Sequence, residues 1–405
     1  MLAFAHSALT HVLPFLFVLT LVVVVHEMGH FLAARACGVA VERFSIGFGR
    51  ALLSWRDRSG VEWRVGWIPL GGYVKFAGDE NAASVPDPED LELLRQDILT
   101  HEGPAALKRY FHFKPLWQRA IVVAAGPVAN FVLSVVLFAS LAFAFGAITL
   151  PARVAGISPH SAAEAAGFHE GDLIVRAAGQ RIESFFDLQQ IIQVRAGAPI
   201  KFQVNRQGQL IDLVATPRRQ QRPDGMGGSE TVGVVGIAPT RDRSQITIKH
   251  FGPVAAVREG VVQTWRVLDT TVFYLGRLIR GQESADQLGG PLRIAEASHA
   301  VAKMGAQGAH SSQDYIVGSI TALLGLAAVI SVSIGFMNLL PVPVLDGGHL
   351  VFYAYEAIAR RPVAPAVQAV SYRVGLALLL GLMLFATTND LQRSSVFHFL
   401  GGLFS

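Results

Sequence analysis

The sequence predicts a polytopic α-helical membrane protein, with about four transmembrane helices, a membrane-associated β-hairpin and one inserted α/β domain. Hydrophobic residues make up 51% of the 405 residues and charged residues only 16%, whereas soluble domains contain about 25% charged residues. Four apolar stretches are also long enough to cross about 30 Å of hydrocarbon. They are residues 8–34, 120–150, 316–340 and 364–388.

Each stretch has its own signature. The first has no Lys or Arg before Arg35, so it lacks the basic segment of a cleaved signal peptide and is expected to stay in the membrane. The second and third are uncharged, and the third ends where Pro341 and Pro343 prevent a regular helix. The fourth carries Arg373, whose long side chain can reach an interface or a polar cavity.

Basic residues predict the orientation of the chain. Lys and Arg are concentrated between the first two stretches, and Arg360 and Arg361 lie in the short connection between the last two. Short loops rich in Lys and Arg stay in the cytoplasm, so we expect the N-terminus, residues 151–315 and the C-terminus to face outward. Topology thus explains the net charge of +4, and nucleic acid is not an expected partner.

The first apolar stretch contains a His-Glu-x-x-His motif, formed by His26, Glu27 and His30. On a helix the two histidines lie on one face, where they can bind one Zn²⁺ while the glutamate reaches its water. Ionisable side chains inside a membrane segment are costly, which indicates a function. The simpler alternative is a pair of buried histidines satisfied by hydrogen bonds.

A hydrolytic zinc site has three protein ligands, and Asp346 is the predicted third. It follows the two prolines that end the third stretch and precedes Gly347 and Gly348, which allow close backbone approach. Alternatively, the Asp-Gly pair is a turn that caps the next helix, residues 350–359. His349 is a competing ligand, with a cap or an outer-shell role as its other interpretation.

Three motifs together resemble the bacterial site-2 proteases, in the regulator-of-sigma-E protease branch: the His-Glu-x-x-His motif, Gly126-Pro127-x-x-Asn130, and Asn338-x-x-Pro341-x-Pro343-x-Leu345-Asp346-Gly347-Gly348. The resemblance implies one zinc ion per chain, bound by His26, His30 and Asp346, with Glu27 as the general base. It implies a substrate or transition-state contact for Asn338, although a hydrogen bond between helices is an equal alternative. Asn130 is interpreted as structural, allowing a close helix approach or a kink, with a catalytic role as the alternative.

The loop after the first stretch predicts a β-hairpin. Residues 61–68 show partial alternation, residues 69–72 supply Pro and Gly for a turn, and residues 73–76 form the second strand. Its edge, with Gly71, Gly72 and Tyr73, would bind an unwound substrate as an added strand. Alternatively the hairpin only covers the active site. Residues 79–99 are acidic and are expected to form a solvated loop.

Residues 151–217 resemble a bacterial PDZ domain in their order of strand, helix, tight turn and hairpins. The tentative peptide groove is the edge formed by Arg153, Val154, Ala155, Gly156 and Ile157. Excluding bulky substrates is an equal alternative to capturing peptides. The best-known relatives have two such domains in tandem, whereas this chain shows one. The predicted divisions are thus 1–150, 151–217, 218–315 and 316–405, with a linker at 218–230 and a strand at 231–238.

The resemblance implies an intramembrane zinc endopeptidase of the bacterial inner membrane, with its active site toward the cytoplasmic side. Its substrates would be single-span membrane proteins, either anti-sigma factors of a sigma-E stress response or remnant signal peptides. An upstream site-1-type protease would first trim the anti-sigma factor outside the membrane, and lipids would surround the helices. The alternative is a non-catalytic PDZ membrane scaffold with structural zinc.

Overall fold

The computed structural model describes residues 2–78, 88–223, 229–240, 242–282, 289–307, 309 and 311–393. Within these residues the chain forms ten α-helices. They are α1 (Leu2–Ala36), α2 (Pro88–His101), α3 (Leu116–Phe145), α4 (Ala162–Ala165), α5 (Phe185–Val194), α6 (Pro253–Ile279), α7 (Pro291–Gly305), α8 (Ser312–Asn338), α9 (Asp346–Ala359) and α10 (Pro365–Arg393).

Four of these helices are long and apolar enough to cross a membrane. The qualifying segments are Val12–Ala36 of α1, Leu116–Phe145, Ser312–Asn338 and Pro365–Leu391 of α10. At a rise of about 1.5 Å per residue even the shortest of them exceeds about 30 Å of hydrocarbon. The four predicted spans are therefore confirmed as helices of sufficient length, with ends that differ by a few residues.

The chain divides into two compact units. The first is drawn from residues 1–138, 260–268 and 289–390, and the second from residues 139–259, 269–288 and 391–405. The first unit contains the His-Glu-x-x-His motif on α1 together with Asp346 at the start of α9. Every predicted chemical residue except the tentative peptide groove therefore lies in the first unit.

The strands of the first unit are β1 (Val41–Arg56) and β2 (Glu62–Phe76), which pair antiparallel. Both strands are bent, and Arg43 pairs with Glu62 as well as with Lys75. The start of β1 therefore lies between the two ends of β2. The turn that joins the strands is built by Asp57, whose side chain accepts the backbone N–H groups of Ser59 at 2.8 Å and Val61 at 3.0 Å.

The hairpin predicted from the sequence is confirmed, but the predicted position of its turn is wrong. Residues 69–72 lie inside β2, where Gly72 pairs with Ile46. Gly71 has a φ of +120°, which a glycine adopts without strain, so the chain kinks there and continues along the same strand. The residues that reverse the chain are Asp57 to Gly60, an Asp-x-Ser-Gly sequence typical of a turn.

A second difference concerns the acidic segment after the hairpin. Residues 79–87 of the expected loop lie outside the described residues, while Pro88–His101 forms the helix α2. Proline is compatible with the first turn of a helix because the N–H groups there have no partner within the helix. Ile98 on this helix is only 1% exposed, so one face of α2 is packed against the unit and the segment is more than a solvated loop.

Helices α1, α7 and α8 pack together through small and branched side chains. Their shared core contains Val18 and Val22 of α1, Ala302 of α7, and Leu323 and Ala327 of α8. The fourth long helix is joined to α7 by a cap. Asp390 of α10 is 6% exposed and accepts the backbone N–H groups of Gly290 and Arg293, each at 3.1 Å, which satisfies donors that a helix start leaves open.

The second unit has a four-stranded antiparallel sheet, ordered β6-β5-β7-β8. The strands are β5 (Leu173–Ala177), β6 (Gln180–Arg181), β7 (Ile200–Arg206) and β8 (Gln209–Ala215). Helix α5 begins at Ser184 with a capping box completed by Asp187. Its inner face buries Leu188 with Phe202 of the sheet. The antiparallel pairs β5–β6 and β7–β8 agree with the hairpins expected within residues 151–217.

Short strands complete the second unit: β3 (Ala147–Thr149), β4 (Gly156–Ile157), β9 (Arg218–Pro223), β10 (Ser229–Val234), β11 (Ile237–Ala238) and β12 (Thr247–Lys249). They pair as β3 with β12, β4 with β11, and β9 with β10. The segment predicted as a linker therefore contributes a strand, and the strand predicted at residues 231–238 is divided at Gly236, whose φ is +91°.

The predicted boundary at residue 217 needs correction, and the predicted groove is paired along one edge. Val235 is 2% exposed in the same core as Leu188, so the unit extends past residue 217. Gly156 and Ile157 pair with Ala238 and Ile237, and Arg153 forms a bridge with Leu173. One edge of this segment is thus paired within the chain, while among the described residues β4 pairs with β11 alone and its second edge has no strand beside it.

Asp172 predicts how the second unit responds to acid. Its side chain is fully buried, and both carboxylate oxygens accept from the Arg206 guanidinium at 2.8 Å while the His169 N–H donates at 2.9 Å. Burial raises the pKa of Asp172, but these bonds outweigh it, so its pKa lies below the usual value. The stability from this lowered pKa is complete above about pH 4 and is lost as the pH falls through the folded-state pKa.

We therefore expect Asp172→Asn to lower the melting temperature of the full chain clearly at pH 7. Below about pH 4 the difference between the two melting temperatures should shrink. The Asp172 carboxylate of the wild type then takes up a proton on unfolding, which stabilises the unfolded state. Thermal melts in detergent at pH 7, 5 and 3 test this. A difference that stays constant over that range would show that the ion pair does not carry the effect.

Candidate metal centre

Three donor atoms from distant parts of the chain converge in the first unit. His26 Nε2 lies 3.2 Å from His30 Nε2 and 3.3 Å from Asp346 Oδ2, and His30 Nε2 lies 3.5 Å from the same oxygen. Among the described residues, these three are the group of His, Cys, Asp and Glu side chains able to hold a metal ion. The residues predicted from the two motifs are therefore brought together.

Helix geometry and one long-range hydrogen bond place the histidines. His26 and His30 are four residues apart on α1, with imidazole rings edge to face and centroids 4.8 Å apart, as i,i+4 neighbours on one helix face. His30 Nδ1 lies 2.8 Å from the carbonyl oxygen of Val122 on α3. Since only an N–H can bond a carbonyl, Nδ1 carries the proton and Nε2 is left with its lone pair.

Asp346 reaches the histidines because the chain turns back tightly after α8. A side chain at Gly347 would collide with the backbone of Leu339 and Leu340, and one at Gly348 would lie 2.5 Å from the Cα of Pro343. Both glycines are therefore required by the turn. Asp346 is the first residue of α9, and its carboxylate faces the two imidazoles.

The spacing of the donors fits zinc. Around a tetrahedral Zn²⁺ with bonds of about 2.0–2.1 Å, neighbouring ligand atoms lie about 3.3–3.4 Å apart. The observed separations are 3.2, 3.3 and 3.5 Å. Asp346 Oδ2 is buried, and among the described residues no donor is aligned to hydrogen-bond it. A buried carboxylate oxygen without a bond is costly, and a cation between the three atoms would remove that cost.

Glu27 lies beside the strand edge of the hairpin. Its carboxylate accepts the backbone N–H of Val74 in β2. A side chain at Gly72 would lie 3.1 Å from Glu27 Cγ and 3.3 Å from Val23 Cγ1, so β2 runs against α1 at the motif. Of the predicted Gly71, Gly72 and Tyr73, it is Gly72 that contacts the glutamate.

Two asparagines lie next to His26. Asn338, the last residue of α8, has its Nδ2 3.3 Å from His26 Nε2, and Asn130 of α3 has its Nδ2 3.3 Å from His26 Nδ1. His349 is outside the three-donor group, and its ring nitrogens lie 3.1 and 3.2 Å from the Tyr372 hydroxyl on α10. The competing interpretation of His349 as the third ligand is thus not favoured.

The role of Gly126 in the site was not predicted from the sequence. A Cβ there would overlap His30 Nε2 and would lie 2.6 Å from His30 Cε1 and 2.9 Å from His26 Cε1. Across the same contact, a side chain on Gly29 would lie 2.7 Å from the Cβ of Ala129. The Gly-Pro pair and the glycine within the motif were visible signals, but the distance between the two helices was not.

The profile of peptidase family M50 matches residues 14–382. The chain belongs to this family. The chain is 50% identical to the metalloprotease MmpA of Caulobacter vibrioides, over 96% of its own length and 97% of that protein. It is 44% identical to a Rhizobium meliloti protein named as a zinc metalloprotease, over 93% and 95% of the two chains.

A more distant relative is the regulator of sigma-E protease RseP of Salmonella typhimurium, 31% identical over 96% of this chain and 99% of that protein. The aligned stretch of 485 residues is longer than this chain, so RseP carries insertions relative to it. The family match and the relatives identify the chain as a zinc-dependent metalloendopeptidase, and its four long apolar helices identify it as a membrane protein. The expectations of family, enzyme class and cofactor are confirmed, and the alternative of a non-catalytic scaffold is set aside.

Gly126 gives the test of the metal centre. Gly126→Ala places a methyl group where the His30 ring lies, so we expect zinc content to fall well below one per chain and peptidase activity to fall by about 100-fold or more. Zinc is measured by mass spectrometry on protein purified in detergent. The matched control is Gly381→Ala on α10, where a new Cβ meets no atom within 4 Å. Equal zinc in both variants would contradict the geometry.

Proposed function

We propose that this M50 peptidase cleaves peptide bonds within membrane-spanning segments, with zinc held by His26, His30 and Asp346 and with Glu27 as the general base. The observation that carries the proposal is the set of donor separations of 3.2, 3.3 and 3.5 Å, in which both histidines lie on a helix that is long enough to cross a membrane. Zinc at this position supplies Lewis-acid activation of a water molecule and of the scissile carbonyl.

Glu27 transfers the proton in the proposed reaction. Its carboxylate takes a proton from the attacking water and delivers it to the leaving amide nitrogen, a role that needs a group within hydrogen-bond reach of both. The Val74 N–H holds the carboxylate in place. Asn338 lies 3.3 Å from His26 Nε2, where its amide N–H can donate to the carbonyl oxygen as negative charge develops.

The substrate must be extended before it can be cut, because a helix shields its peptide bonds with its own hydrogen bonds. The segment of β2 from Gly72 to Phe76 pairs with β1 on one side. Its other side carries the Val74 N–H that meets Glu27, and alternate residues of a strand share that side. Gly72 is therefore placed to bond an added substrate strand beside the base, which favours binding over simple covering.

The membrane setting is part of the proposal. The hairpin exposes large apolar side chains, namely Phe48, Leu52, Leu53, Trp55, Trp67 and Ile68. Exposed apolar patches of this kind favour contact with lipid. From the distribution of Lys and Arg we place the hairpin and the active site toward the cytoplasmic side of a bacterial inner membrane, with the second unit and both termini outside.

The biological context rests on the distant likeness to RseP. We propose single-span substrates, either an anti-sigma factor in a sigma-E type stress response, already trimmed by an upstream site-1-type protease, or remnant signal peptides. For the PDZ-like second unit we propose either exclusion of bulky ectodomains or capture of an extended peptide at the edge of β4 that does not pair with β11.

Glu27→Gln tests the assignment of the base. The amide keeps the shape of the side chain but cannot take a proton, so we expect zinc content to stay at one per chain and turnover of a single-span substrate to fall by about 100- to 10,000-fold. Turnover is followed in proteoliposomes, and zinc is measured on the same sample. Wild-type turnover in a zinc-replete variant would overturn the role of Glu27.

A cross-linking experiment tests strand addition at β2. With Cys37→Ser to remove the native thiol, Tyr73→Cys in a Glu27→Gln background should form a disulfide with a cysteine placed near the scissile bond of the substrate. The matched control is Trp55→Cys at the opposite edge of the same sheet, where Trp55 pairs with Trp63 and is 53% exposed. Equal cross-linking at both positions would show that the substrate does not prefer the β2 edge.

A further inference from the structure

The second ring nitrogen of His26 faces a buried amide. Asn130 on α3 is 0% exposed, and its Nδ2 lies 3.3 Å from His26 Nδ1. The Asn130 Oδ1 is also buried and, among the described residues, meets no hydrogen-bond donor. A buried carbonyl oxygen without a donor is costly, so the amide is arranged for a partner that can donate.

His26 becomes that donor when it serves as a ligand. Its Nε2 faces His30 Nε2 and Asp346 Oδ2, and a metal-binding nitrogen presents a lone pair, so the proton of the neutral ring sits on Nδ1. His30 shows the same arrangement, with its Nδ1 bonded to the Val122 carbonyl at 2.8 Å. His26 Nδ1–H then needs an acceptor at 3.3 Å, and an NH₂ group cannot provide one.

The Asn130 amide can present either of its ends, because its oxygen and nitrogen occupy nearly the same space. With the oxygen turned toward His26, both the imidazole N–H and the Asn130 Oδ1 are satisfied by one bond. The side chain is held where it can make this bond. Ser331 on α8 donates its hydroxyl to the backbone carbonyl of Asn130 at 2.8 Å, and a Cβ on Gly335 would lie 3.1 Å from the Asn130 Cβ.

We propose that Asn130 is a positioning residue that accepts the His26 Nδ1–H through Oδ1 and so fixes the tautomer and the ring orientation that leave Nε2 free for zinc. This goes further than the sequence interpretation of Asn130 as a structural residue, and it rests on the zinc site of the proposed function. Val122 and Asn130, two turns apart on α3, thus hold the two histidines of α1 through their outer nitrogens.

The test compares an acceptor with an apolar group of similar size. Asn130→Asp keeps an acceptor, so zinc affinity should stay within about threefold of wild type, whereas Asn130→Leu should weaken it by about 10- to 100-fold. Affinity is measured by chelator competition on the full chain in detergent. The cobalt-substituted protein supplies a second readout, because a ligand ring that has turned changes the visible absorption of Co²⁺.

Ser134→Ala is the matched control. It removes a hydrogen bond of 3.2 Å to Thr264 from an equally buried position one turn along α3, so it should leave zinc affinity and the cobalt spectrum unchanged. Equal loss of affinity in Asn130→Asp and Asn130→Leu, or in Ser134→Ala and Asn130→Leu, would overturn the proposal and leave Asn130 with a packing role. Should the aspartate variant not fold, the comparison of Asn130→Leu with Ser134→Ala decides alone.

His26→Ala separates this proposal from the proposed function. Zinc retained in His26→Ala would contradict the metal site itself and the positioning role with it. Zinc lost in His26→Ala but retained at wild-type affinity in Asn130→Leu would contradict the positioning role only.

Discussion

The close approach of α1 to α3 is the constraint on which the rest of the site depends. The imidazoles of His26 and His30 lie where a side chain on Gly126 would be, and only at that separation do the Val122 carbonyl and Asn130 reach their outer nitrogens. The repulsion between closely packed atoms rises steeply as they approach, so one added methyl group would displace an imidazole ring. The chemistry of the donors is therefore set by a contact between backbones.

Polar groups buried between apolar helices are costly unless they bond one another, and here they do so in a row. Asn130 and Ser134 follow one another on a single face of α3, toward His26, Ser331 of α8 and Thr264 of α6. Hydrogen bonds between membrane helices are worth only about 0.6 kcal/mol on average. Their larger contribution is to fix the rotation of each helix, which directs the ligands toward one point.

Local features of this protein could be predicted from the sequence, whereas contacts between distant segments of the chain could not. A period of four residues in an apolar run gave His26 and His30, and Asp346 followed from the prolines and glycines around it. The turn of the hairpin was misplaced because Pro-Leu-Gly-Gly has the composition of a turn, while the choice between turn and kinked strand depends on the pairing of Gly72 with Ile46. The need for a glycine at position 126 arises between helices far apart in the chain, where no periodicity indicates it.

The order of the ligands along the chain has a consequence for biosynthesis. His26 and His30 leave the ribosome with the first membrane helix, whereas Asp346 follows only after three of the four long helices. A nascent chain thus carries two of the three donors for most of its synthesis and binds zinc weakly, since affinity depends on a completed ligand set. For the proposed zinc site, the ligand set is in this way complete only once three of the four long helices have been made.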